Sequence, residues 1–238
     1  MKYFLSSTAF AALACAAAGS ASALDAPCSN CELFPPITNV QTFENGFVKA
    51  EVNAHIATAV GDVKVSGTAV GNNLSIDAGA GTTGKIVNTQ SFAGYGDLLS
   101  STVNVTGTTS TNGAFGGKLT VDNTAVANNA SIKLGACCTT APGIESTQTL
   151  SWDSTAITNV QLASVTGAAD INTTAVGNNL SIEGRIGSLT NNQTDSWASI
   201  QAISNVTLGA LGAGLTIATT AVGNNASWKQ TVPCPVIP

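Results

Sequence analysis

Apolar and polar residues alternate with a period of two through much of the chain. Val63 and Val65, then Leu74 and Ile76, take turns with Lys64, Ser66, Ser75 and Asp77, and Leu119, Val121, Ile132, Leu180 and Ile182 repeat the arrangement further on. Side chains that fall on a common side at every second residue mark strands with one buried face. Helix is the losing alternative, because β-branched residues dominate and a recurrent Gly-Asn-Asn would interrupt every helix. The pattern predicts an all-β fold.

The alternation is organised in four degenerate repeats. The best-kept block reads TAVGNNLSID from Thr68, TAVANNASIK from Thr124, TAVGNNLSIE from Thr174 and TAVGNNASWK from Thr220, with starts 56, 50 and 46 residues apart. Two further columns run with it: glutamines at Gln41, Gln90, Gln148 and Gln193, and asparagines at Asn53, Asn104, Asn159 and Asn205. The second unit alone carries a five-residue excess, in the Gly/Thr-rich stretch Thr106 to Gly117, which reads as a longer surface loop. The expected units are residues 41–83, 84–140, 141–187 and 188–230 of a β domain at 41–230, after a Cys/Pro segment at 24–40 and before a tail at 231–238.

Glycine tolerates positive φ and asparagine visits the left-handed region more cheaply than most residues. Gly71-Asn72-Asn73, Asn128-Asn129, Gly177-Asn178-Asn179 and Gly223-Asn224-Asn225 are therefore expected at turns between strands; Ala127 replaces the glycine of the second copy. A unit of about 50 residues is long for one coil of a β-helix and suits two. The expected architecture is a β-solenoid in which like polar side chains form ladders from unit to unit and small aliphatic residues fill the inside. A β-sandwich of similar hairpins is the runner-up.

Charged residues make up only 9% and aromatics 5%, so surface and interior must both be built from small and uncharged polar groups. The positive mean hydropathy of +0.26 argues against the disorder that so few aromatics would otherwise imply. A net charge of −5 with no cluster of Lys and Arg excludes nucleic acid as a partner. So few like charges also favour self-association.

Lys2, the uncharged run to Ala18 and the small residues Ala21 and Ala23 predict a signal peptide over residues 1–23. A lipoprotein box at Leu13-Ala14-Cys15 is the alternative, disfavoured by Ala12 where leucine is usual. No later run reaches the roughly 18 apolar residues of a spanning helix. Five cysteines follow the leader, Cys28, Cys31, Cys137, Cys138 and Cys234; they are candidates for disulfides that tie ends and one link, with one thiol left over. Zinc is disfavoured, since adjacent cysteines rarely reach one tetrahedral ion and no histidine stands near them.

Catalytic chemistry has little to work with. His55, the only histidine, lies in an alternating strand and reads as solvent-facing or partly packed, with no nucleophile motif to accompany it. The acidic residues are scattered singly; Asp77 and Glu183 share a column with Lys133 and Lys229, which reads as charge complementarity between stacked units. Calcium would need aspartate where asparagine stands in each repeat. No cofactor or metal is expected. Trp152, Trp197 and Trp228, with Tyr95 and Phe92, divide between a contact stripe and core filling.

Gly223-Asn224-Asn225-Ala226-Ser227-Trp228-Lys229-Gln230 resembles the G-N-x-A-x-x-x-Q half-repeat of curlin subunits, although the other copies lack the second glutamine. Low charge, abundant Gly, Asn, Ser and Thr, and an export signal are also similar to the holdfast-anchor proteins of stalked alphaproteobacteria. TAVG echoes the head repeat of trimeric autotransporter adhesins, whose membrane anchor CPVIP does not supply. The first two resemblances imply extracellular assembly and attachment. The expected partners are copies of the chain itself or other surface and matrix subunits, with polysaccharide as a further one, and no catalysis is expected from the residues. A carbohydrate-binding or carbohydrate-cleaving β-helix is the alternative.

Overall fold

The computed structural model describes residues 36–44, 46–78, 84–93, 98–107, 114–135 and 141–230. The first coil runs through β1 (Ile37–Phe43), β2 (Phe47–Ile56), the short β3 (Thr58–Ala59) and the long β4 (Val63–Ala78). The second holds β5 (Ile86–Phe92), β6 (Leu98–Gly107), β7 (Ala114–Phe115) and β8 (Leu119–Leu134). The third holds β9 (Gly143–Leu150), β10 (Ser154–Val165) and β11 (Ala169–Glu183), and the fourth β12 (Ser188–Asp195), β13 (Ile200–Leu211) and β14 (Leu215–Lys229).

Every inter-strand pairing is parallel and joins a residue to its equivalent in the next unit, so the coils stack into a β-solenoid with three sheets. Sheet A is β1-β5-β9-β12, sheet B is β2-β6-β10-β13 with the short β3 and β7 beside it, and sheet C is β4-β8-β11-β14. Each unit supplies one strand to each sheet. One unit is therefore one coil, where the sequence reading expected two. The reason is sheet C, whose strands reach 16 residues and return along the whole width that sheets A and B cover together.

The core records that geometry. The first half of each sheet C strand packs on sheet B, as Leu119, Val121, Ala169 and Ile171 do with Val103, Val105 and Val160. The second half packs on sheet A, as Ile132, Leu134, Leu180 and Ile182 do with Ile86 and Ile144. Between them, Phe92, Leu150, Leu99, Ala125 and Ala127 fill the place where the three sheets meet.

Gly-Asn-Asn lies inside the strands of sheet C at this meeting point, not in turns between strands. The alternation slips by one residue there: in β8, Leu119 to Ala127 are inward at odd positions, Asn128 is inward as well, and Ala130 to Leu134 continue inward at even positions. The slip bends the strand and keeps apolar residues inside on both halves, since a one-residue shift otherwise turns a strand's whole buried set outward. Gly71 sits at the bend, where a Cβ would lie 2.6 Å from the Ala127 carbonyl oxygen and 2.7 Å from the Phe92 ring. Gly71→Ala is expected to destabilise the chain by about 1–3 kcal/mol through this crowding, measurable by urea unfolding.

The excess of the second unit is also located. The offset between paired residues of β6 and β10 is 55 at Asn104 and Asn159, and the pairing resumes between β7 and β10 at Ala114 and Ser164. The extra residues thus fall between Gly107 and Ala114. The expected leader, the Cys/Pro segment up to Pro35, the tail, all five candidate cysteines and Tyr95 lie outside the described residues.

Candidate functional site: polar ladders and open coil ends

Four amide columns run the height of the stack. In sheet A, Gln193 donates from Nε2 to Gln148 Oε1 at 2.7 Å, Gln148 to Gln90 at 2.8 Å, and Gln90 to Gln41 at 2.9 Å. The second amide hydrogen of each glutamine crosses the interior to a carbonyl of sheet C: Gln41 to Asn73, Gln90 to Asn129, Gln148 to Asn179 and Gln193 to Asn225, each at 2.9 Å.

The first asparagine of the motif points inward and the second outward. Asn72 donates to Asn128 Oδ1 at 2.8 Å, Asn128 to Asn178 at 2.7 Å, and Asn178 to Asn224 at 2.8 Å. Their other hydrogens reach sheet A at the carbonyls of Ser91, Thr149 and Thr194. The outer asparagines run the opposite way, from Asn225 to Asn179 to Asn129 to Asn73, at 2.7 Å per step. On the outer face of sheet B, Asn205, Asn159 and Asn104 donate in turn toward Asn53, at 2.8, 2.7 and 2.7 Å.

Gln90, Gln148, Asn128 and Asn178 are wholly buried. A primary amide offers two donors and a two-lone-pair acceptor, so each of these side chains bonds along the axis and braces one sheet to another. In a water-free interior such a network is stabilising only while every member is paired. This is why the same amides return in every unit.

Ion pairs join each coil to the next. Lys64 meets Asp122 at 3.3 Å and Lys133 meets Asp77 at 3.9 Å; Lys85 meets Glu145 at 2.6 Å and Lys118 meets Asp170 at 2.5 Å; Lys229 meets Glu183 at 3.1 Å. The hydrogen bond from Lys118 holds the Asp170 carboxyl below its ordinary range. All are substantially exposed and individually weak. Asp77, Lys133, Glu183 and Lys229 occupy one column of alternating sign.

His55 is exposed and its Nδ1 lies 2.7 Å from Thr106 Oγ1. A shallow groove of about 290 Å³ on sheet B is lined by Thr106, Asn159, Val160, Gln161, Asn205 and Thr207, a set without acid, histidine or cysteine. Among the described residues, no three His, Cys, Asp or Glu side chains come together as a metal-binding group. The tryptophans do not act as one set: Trp152 is half-buried, Trp197 is 95% exposed with φ at 59°, and Trp228 occupies the interior column of Ile182 and Ile132.

Sequence reasoning missed Asp195. It stands in the interior column of Phe43, Phe92 and Leu150, and its Oδ1 lies 2.6 Å from Asn178 Nδ2, whose two hydrogens it shares with Asn224 Oδ1 and the Thr194 carbonyl. Burial pushes its carboxyl above the ordinary carboxylate range. The signal was available in the glutamine columns, since Asp195 follows Gln193 by two residues as Phe92 follows Gln90.

The chain is a repeat protein, a three-sheeted parallel β-solenoid with amide ladders running from coil to coil. The family of holdfast attachment protein D matches the chain over residues 11–233, and the chain belongs to that family. It is a holdfast-related protein of surface adhesion, with a cell-surface or extracellular location and other surface components as its partners. The match falls on the holdfast side of the expected resemblances and does not extend to curlins. No curated protein and no solved structure matches the chain. Among the described residues no helix is long and apolar enough to cross a membrane.

Proposed function

We propose that the protein is an exported, non-catalytic scaffold that anchors the adhesive matrix of the holdfast and associates with copies of itself or with other matrix subunits. The observation that carries this reading is the unbroken run of amide ladders through all four coils, which ends at strand edges without a partner among the described residues. A stack held by repeated identical bonds is stiff and extendable, which suits load-bearing and not turnover. Family membership supports attachment as the task.

Deleting the gene in its native host and scoring adhesive on cells and in medium tests the reading. Adhesive made in normal amount but shed into the medium is the expected result. Adhesive of altered chain length, still attached to cells, would instead favour the carbohydrate-cleaving alternative.

A further inference from the structure

We propose that two copies of this chain join head to tail, the fourth coil of one stacking in register on the first coil of the next. The proposal rests on the self-association reading above and specifies its geometry.

The fourth coil ends the stack with its interior open. Leu189 is 39% exposed, Ile217 44%, Leu215 45% and Trp228 48%, whereas Ile144, Ile171, Ala169 and Ile182, one coil earlier in the same columns, are at most 1% exposed. The first coil offers the matching columns: Ile37 for Leu189, Val63 for Leu215, Val65 for Ile217 and Ile76 for Trp228. Stacking one on the other would give these side chains the neighbours that coils two and three already have.

Ladder polarity matches as well. Gln193, Asn205 and Asn225 each donate toward the third coil, which leaves their side-chain oxygens directed at the next copy. Gln41, Asn53 and Asn73 carry the amides that continue those three columns. The inner column runs the other way, so Asn224 would donate to Asn72 of the next copy, as Asn178 donates to Asn224. A twofold joint between like ends would run the strands antiparallel and set each column against an unrelated residue.

Charge selects the same arrangement. The column Asp77, Lys133, Glu183, Lys229 ends on a cation and begins on an anion. Head-to-tail stacking sets Lys229 beside Asp77 of the next copy and keeps the signs alternating. Such a joint uses two different surfaces and does not close on itself, so it builds filaments.

Within one molecule Asp77 and Lys229 are three coil steps apart, about 14 Å at the usual strand spacing. A zero-length carbodiimide cross-link between them therefore reports two copies. Mixing isotopically light and heavy full-length chains, cross-linking and reading the peptides by mass spectrometry should recover Asp77 joined to Lys229 across copies. Asp77→Lys alone, or Lys229→Glu alone, should weaken self-association by about three- to fivefold in sedimentation, and the two changes together should restore it. Each single variant disturbs one neighbour within the chain, Lys133 or Glu183, and the double variant disturbs both, so restored association cannot come from repair within the chain and reads the joint between copies. Multimers that lack this cross-link would overturn the joint and leave self-association standing. A chain that stays monomeric at high concentration would overturn both, with matrix anchoring still judged by the shedding assay.

Discussion

Asn128→Ala should lower the unfolding free energy by about 3–5 kcal/mol, and Asn129→Ala, one residue on, by no more than about 1 kcal/mol. The two asparagines are neighbours in a motif that looks uniform in sequence. Asn128 is wholly buried; it donates to Asn178 Oδ1 and to the Thr149 carbonyl and accepts from Asn72. Its removal leaves two acceptors and one donor unpaired, two of them with no route to water, and each such group costs about 1–3 kcal/mol. Asn129 bonds on the outer face, where water replaces what is lost. Asn128→Asp keeps the shape but removes both donors and should cost at least as much as alanine, which separates hydrogen bonding from packing. Urea unfolding of the purified chain gives all three values; equal losses at 128 and 129 would show that the inner column carries no special weight.

The second large effect concerns the column that begins with two stacked phenylalanines and ends in a carboxylate. Phe43 and Phe92 stack with ring centroids 4.8 Å apart, and Phe92 is fully buried. Phe92→Ala should cost about 3–5 kcal/mol, because the coils on either side are held at a fixed spacing and cannot close the cavity. At the other end of the column, Asp195 is held above its ordinary value of 3.8 by burial. A carboxyl whose pKa is raised by folding adds stability that is fully present below that ordinary value and is lost as pH rises through the raised one. The fourth coil should therefore be tighter in mild acid than at neutral pH, read as larger hydrogen-exchange protection factors along β12 and β14, each rate taken relative to the intrinsic amide rate at its own pH. Asp195→Leu, which restores the residue type found at Leu150, should raise stability at neutral pH and abolish this pH dependence. Unchanged pH dependence in Asp195→Leu would place its origin elsewhere.

The strands and the columns are legible in the sequence because the physics that holds them repeats in every unit. A ladder needs an amide at the same place in each coil, so Gln41, Gln90, Gln148 and Gln193 announce it by spacing alone. The number of coils per unit was not legible. Spacing identifies which residues share a column, while the rise per coil is set by strand geometry, and nothing in the repeat length says that one strand spans the breadth of two.

Gly-Asn-Asn has the composition of a turn and yet lies within a strand. What decides otherwise is phase. Val63 and Val65 are inward at odd positions and Leu74 and Ile76 at even ones, so the inward side changes parity across Gly71-Asn72-Asn73 while remaining inward. A chain reversal was not needed to explain that shift; an in-strand bend suffices. The difference between inner and outer asparagines followed only from the fold, since both side chains are the same and only the bend directs one of them into the interior.

Side-chain amide contacts in an isotope-labelled sample test the stack most directly. One coil per unit predicts nuclear Overhauser contacts from Gln90 to Gln148 and from Asn128 to Asn178, residues 58 and 50 positions apart, with these amide hydrogens exchanging only on global unfolding. Contacts between residues half a unit apart, or amides of all four columns exchanging at the rate of free side chains, would contradict it.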